Sequence, residues 1–140
     1  ERFLRDRLTN MGALRSGRFA VMNGDFDRYF IRTDGWYTPE FGLVWSRGAE
    51  STVWLPPVAN ACRLRFERNM LGLPESLISF GDGKPQLESG QWFKVGPSAT
   101  PIRVLLQHRS IVSPFERRHS DDKRPIHYGL IAVSVACEPA

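Results

Sequence analysis

The chain has 140 residues, 41% of them hydrophobic and 24% charged, with a net charge of +4. That length fits one domain, and such a domain hides roughly 68–70% of its unfolded surface, enough for a real core. No apolar run is long enough for a transmembrane helix or a signal-peptide core, so neither membrane insertion nor a signal peptide is expected within it. The basic residues fall in three groups, near Arg2–Arg18, Arg63–Arg68 and Arg117–Arg124, each interleaved with acids. A nucleic-acid binder gathers its charge on one element, so no nucleic acid is expected as a partner.

In chain order, residues 1–15 carry Phe3, Leu4, Leu8, Met11 and Leu14 at near-helical spacing with Arg and Asp between them. This predicts a short amphipathic helix, weakened by Gly12 in its second half. Residues 1–16 thus form a helix or linker, and 17–140 a separate folding unit. From Gly17 onward the period becomes two. Strands are expected over Gly17–Met22, Arg28–Arg32, Leu43–Ser46 and Glu50–Leu55, the last stopped by Pro56-Pro57. Asn60–Glu67 alternates Cys62, Leu64 and Phe66 against Arg63, Arg65 and Glu67, the pattern of a half-buried antiparallel strand. Arg63 and Arg65 therefore belong on a solvated face.

Ser76–Phe80 is followed by Gly81-Asp82-Gly83-Lys84, a hairpin signal, with a return strand at Pro85–Leu87. Gln91–Val95, Pro101–His108 and Tyr128–Cys137 complete the set. In the last, Ile131, Val133, Val135 and Cys137 are expected on one face. Trp54 and Trp92 are read as core residues of their strands. Phe26, Tyr29 and Phe30 are expected to pack on the N-terminal helix. Eight to ten short strands at this spacing predict an all-β, antiparallel, jelly-roll-like β-sandwich with a short N-terminal helix.

Cys62 and Cys137 are the two cysteines, each in phase with core positions. They read as buried thiols, or as a disulfide if their strands are neighbours. No zinc-type cysteine spacing, nucleophile elbow or phosphate loop is present. His119, Asp121 and His127 offer metal-ligating groups, but Arg117, Arg118, Lys123 and Arg124 surround them and oppose a cation. That stretch reads as a solvated polar loop, His108 as a surface residue, and no metal or cofactor is expected. Catalysis is not expected of this chain alone. A glycan-active pairing of Glu40 with Asp121 or Asp122 would need the two carboxylates to meet across an open cleft.

Two segments stand out. Residues 35–48 read Gly-Trp-Tyr-Thr-Pro-Glu-Phe-Gly-Leu-Val-Trp-Ser-Arg-Gly, dense in aromatics and punctuated by turn formers. Such a stretch is either a rigid corner or a platform for stacking sugar rings. The second is the loop from Ser113 to Arg124, which ends in Ser120-Asp121-Asp122-Lys123-Arg124. Its Arg124 can fork a carboxylate, and Glu40 is the candidate partner.

These segments carry a resemblance. Gly35-Trp36 with Pro39-Glu40 and Trp45-Ser46-x-Gly48, then Ser113-Pro114, Asp122-x-Arg124 and Tyr128-Gly129-Leu130, are similar to the opening and closing motifs of a β-sandwich domain. That domain is appended to bacterial glycosyltransferases and other cell-surface-polysaccharide proteins. The resemblance spans about residues 30–137 and implies a non-catalytic accessory module in polysaccharide or glycoconjugate assembly. The site it suggests comprises Trp36, Tyr37, Glu40, Trp45, Arg47, Asp121, Asp122 and Arg124. The implied partners are a polysaccharide or glycan, or else a glycosyltransferase domain or other protein that the module docks, or a second copy of itself. The compartment is open between bacterial cytoplasm and cell envelope.

Overall fold

A computed structural model describes residues 2–109 and 122–139. In chain order the elements are α1 (Arg2–Asn10), β1 (Gly17–Ala20), α2 (Asp25–Tyr29), β2 (Ile31–Arg32), β3 (Val44–Trp45), β4 (Glu50–Leu55), β5 (Cys62–Asn69), β6 (Ser76–Phe80), β7 (Gln86–Glu88), β8 (Phe93–Val95), β9 (Ile102–Gln107) and β10 (Gly129–Cys137). They build the expected antiparallel sandwich. One sheet runs β8-β5-β10, with β1 and β3 sharing the far edge of β10; the other runs β2-β4-β9-β6-β7.

Alternation decides which residues meet between the sheets. Phe19, Leu64, Phe66, Phe93, Val133 and Val135 from one sheet face Val53, Leu55, Ile78, Val104 and Leu106 from the other, all buried. Burying each such side chain contributes about 1.5–3 kcal/mol, so Phe66→Ala should cost about 3–5 kcal/mol once the cavity is included. The edge strands β1, β2, β7 and β8 have two to four residues each, which gives little backbone for another chain to pair with. Leu8 of α1 is fully buried, and Leu14 beyond it is buried with its amide donating to the Pro57 carbonyl at 2.8 Å.

Several expectations from the sequence are corrected by the structure. Residues 25–29 are helical and only Ile31–Arg32 is strand, because Phe26 and Phe30 are a helical i, i+4 pair. Their rings stack at 4.9 Å, and Phe30 meets Phe19 of β1 at 5.4 Å, so β1 rather than α1 receives them. Trp92 is 45% exposed and precedes β8; Phe93 takes the inward position next to it. The register of β10 against β5 shifts between Leu130 and Ala132. That bulge breaks simple alternation, so Leu130 is buried along with Val133 and Val135 while Ile131 is only half-buried.

The cysteines form a disulfide, one of the two alternatives the sequence leaves open. Cys62 and Cys137 are direct cross-strand partners, with Cα atoms 3.9 Å apart. Finally, His108 and His127 are buried rather than solvated, and their rings stack at 5.4 Å.

Candidate functional site

Residues 35–48 fold back on themselves as a β-hairpin. Tyr37 N–H donates to Trp45 O at 2.9 Å, and Glu40 and Leu43 exchange backbone hydrogen bonds at 2.8 and 3.0 Å. The two residues between them, Phe41 and Gly42, have φ of 47° and 84°. Positive φ at both positions defines a type I′ turn, which favours Asn-Gly. Phe41 is 93% exposed at its tip.

The base of the hairpin is tied into the sandwich by its signature residues. Gly35 has φ +83°, and a Cβ there would lie 1.8 Å from the Glu50 carbonyl oxygen. Only glycine fits that approach. Its carbonyl accepts from Arg47 N–H at 2.6 Å and from the Ser51 hydroxyl at 2.7 Å. Trp36 is half-buried, donates its indole N–H to Thr52 O at 2.9 Å, and meets the buried Tyr128 edge-on at 6.5 Å. Trp45, also half-buried, covers Gly129, where a Cβ would come within 2.7 Å of the indole. Ser46 is fully buried, and its hydroxyl oxygen accepts from the backbone N–H of His127 and of Tyr128 at 3.1 and 2.9 Å. The hairpin thus holds the segment that enters β10.

The charged residues meet beside Tyr37. Arg124 donates to both oxygens of Asp122, by Nε at 3.0 and 3.1 Å and by Nη2 at 2.6 Å, and Asp122 Oδ1 also accepts the Arg124 backbone N–H at 3.0 Å. Nη1 of Arg124 pairs with Glu40, the contact expected from the sequence. The hydrogen bonds from Arg124 hold the Asp122 carboxyl below its ordinary range, and those to Asp122 raise the guanidinium further. Arg124 also lies over the Tyr37 ring at 5.2 Å, and the exposed Arg47 lies over it at 5.5 Å. Of the site residues expected, Tyr37, Glu40, Arg47, Asp122 and Arg124 therefore come together, and Trp36 and Trp45 pack below them. Asp121, with Ser113 to Ser120 including His119, lies outside the described residues.

Behind this clasp is a buried polar relay. His108 Nε2 is 2.9 Å from Ser51 Oγ and Nδ1 is 2.8 Å from Ser76 Oγ. The Ser51 proton is given to the Gly35 carbonyl. Ser51 must therefore accept from His108, which fixes the proton on Nε2 and leaves Nδ1 to accept from Ser76. A histidine in that tautomer is no base for Ser51, and both serines are fully buried. Burial, together with the neighbouring His127, lowers the His108 pKa to about 3, so it is neutral. Among the described residues no cluster of three or more His, Cys, Asp or Glu is placed to hold a metal. His127 instead sets Nε2 2.7 Å from the Pro74 carbonyl.

The relay was missed because a histidine that ends an expected strand looks like a surface group. Its only signal is that Ser51, Ser76 and His108 are in phase with the core of three adjacent strands. Taken together, fold and clasp define an all-β antiparallel sandwich module closed at one end by a glycine- and tryptophan-anchored hairpin. The chain matches no protein-family model and no curated protein.

Proposed function

We propose that this chain is a non-catalytic accessory module of bacterial surface-polysaccharide or glycoconjugate assembly. The resemblance of its two motif segments supplies the class. The observation that carries the non-catalytic reading is the fate of the carboxylates: Glu40 and Asp122 both converge on Arg124. A general acid needs a raised pKa, and the hydrogen bonds from Arg124 hold the Asp122 carboxyl in the opposite direction. The test is incubation with surface polysaccharide from the source organism. No turnover is expected, and turnover abolished by Glu40→Gln would overturn the reading.

A specific observation favours docking of a protein partner as the role of the hairpin. Phe41 stands at the tip with its ring in water and its backbone in a conformation costly for a non-glycine residue. Neither local turn chemistry nor core packing accounts for a phenylalanine there. A contact made by the ring does, with a glycosyltransferase domain of the same assembly as the partner. Phe41→Asn, which suits the turn, should leave the fold intact and abolish co-purification with that domain. Undiminished association would sink the docking role.

A further inference from the structure

The outer face of the β8-β5-β10 sheet carries a second feature, apart from the clasp. Register places Lys94 opposite Arg63, and Arg63 opposite Ala136. One row further, Arg65 is opposite Ser134, and Ser134 is opposite Arg18. Continuing the β5–β8 register by one residue sets Trp92 opposite Arg65. All these positions alternate with the buried Cys62, Leu64 and Phe93, so they share the solvent face.

Three properties of this face call for a ligand. First, Arg63 and Lys94 are like charges directly across a strand pair, which is unfavourable unless an anion lies over them. Second, Arg63, Arg65 and Lys94 make no ion pair among the described residues, whereas Arg18 is matched by Glu67 at 2.6 Å. Third, Trp92 is 45% exposed beside them. Between the cations the floor is small, Ala136 and Ser134, and at the Arg63 end an open groove of about 480 Å³ is lined by Arg63, Lys94, Gly96 and Ala136, with one carboxylate, Glu138, at its rim. From Arg18 to Trp92 is three strand spacings, roughly 14 Å.

We infer that this face binds an acidic polysaccharide, a polymer of carboxylate-bearing sugars. The indole offers an apolar face to a pyranose ring, and the guanidinium groups can take carboxylates bidentately. The small floor lets an extended chain lie flat across the strands. Single-stranded nucleic acid also meets cations and aromatics, but its sites offer a succession of stacking rings. This face presents one. The inference takes its ligand class from the polysaccharide reading above, but it does not depend on Phe41 or on docking.

The experiment is calorimetric titration of the whole chain with three probes: a polyuronate, a neutral glucan of similar length, and a single-stranded oligonucleotide. Saturable binding of the polyuronate alone is expected. It should weaken at least tenfold in Trp92→Ala and in Arg63→Gln/Arg65→Gln, and again between 0.05 and 0.5 M salt. These side chains face solvent and Arg63→Gln removes a like-charge neighbour, so thermal unfolding of the variants should match or exceed that of the parent, which separates lost binding from lost fold. Equal binding of the neutral glucan, tighter binding of the oligonucleotide, no binding at all, or unchanged binding in Trp92→Ala would each overturn the inference. Failure here leaves the docking test with Phe41→Asn untouched.

Discussion

Acid should destabilise this protein through His108 while the Asp122 carboxyl still holds Arg124. In the folded chain His108 has a pKa of about 3 against 6.5 for an ordinary histidine. It is walled in by Ser51, Ser76, the stacked His127 ring and the Tyr128 ring 5.9 Å away. Ser76 donates to its Nδ1, so a second ring proton would reverse that hydrogen bond and leave the buried Ser76 hydroxyl proton without its acceptor. The unfolded chain takes up a proton as pH falls through 6.5, whereas the folded chain does not until about 3. Stability is therefore fully present above pH 6.5 and declines below it. Linkage gives a loss of ~2 kcal/mol by pH 5 and ~3 kcal/mol by pH 4. Urea unfolding at 25 °C between pH 7 and 4.5 measures it. His108→Gln keeps a donor toward Ser51 but does not titrate, so its stability should fall by about 2 kcal/mol less over that range. The Asp122 carboxyl, held low by Arg124, loses its contribution only below the ordinary carboxylate range, outside this window. Parallel pH profiles for the two proteins would refute the assignment.

Four other perturbations follow from the geometry. Gly35→Ala drives a Cβ into the Glu50 carbonyl at a positive φ and should cost about 3–5 kcal/mol, read as a large drop in the urea midpoint. Ser46→Ala strands two buried amides, those of His127 and Tyr128, and should cost about 2–3 kcal/mol by the same measurement. Replacing both Cys62 and Cys137 by Ser opens a cross-link 75 residues apart in sequence, which chain entropy values at about 4 kcal/mol; a thermal melt with and without reductant checks it. Phe41→Asn should instead raise stability by about 0.5–1 kcal/mol by relieving the turn, while removing the ring the docking role needs.

The strands were legible because they alternate. Cys62–Asn69 shows the pattern most cleanly, and its inward and outward residues are those the sequence separates. Glu40–Arg124 was legible as charge complementarity between two segments that close one domain. Trp92 was not: two aromatics in succession, Trp92 and Phe93, satisfy a strand pattern in either phase, and only the pairing of β8 with β5 fixes which turns inward. Phe26 and Phe30 misled because a helical i, i+4 pair separated by polar residues also fits a short strand. The bulge at Leu130/Ala132 and the disulfide depend on pairing across about 65 to 75 residues, a relation that no local pattern encodes. The site's Trp36 and Trp45 read equally as platform or anchor until Thr52 and Gly129 are placed against them.

The position of β10 bears on how the chain is made. This last strand of the sandwich touches β1, β3 and β5, so three earlier strands of one sheet wait for a partner synthesised after all of them. Its bulge lies where one edge passes from β3, paired at Leu130, to β1, paired at Ala132. A chain emerging from the ribosome at about 5–20 residues per second spends seconds with Phe19, Leu64 and Phe66 lacking that partner. The other sheet, β2, β4, β9, β6 and β7, is complete earlier and is the natural template. Folding of the whole should therefore be late and concerted, with contacts more than a hundred residues apart, and in the slow range of all-β domains. A nascent chain stopped before Gly129 leaves β1, β3 and the β10-facing edge of β5 without their partner.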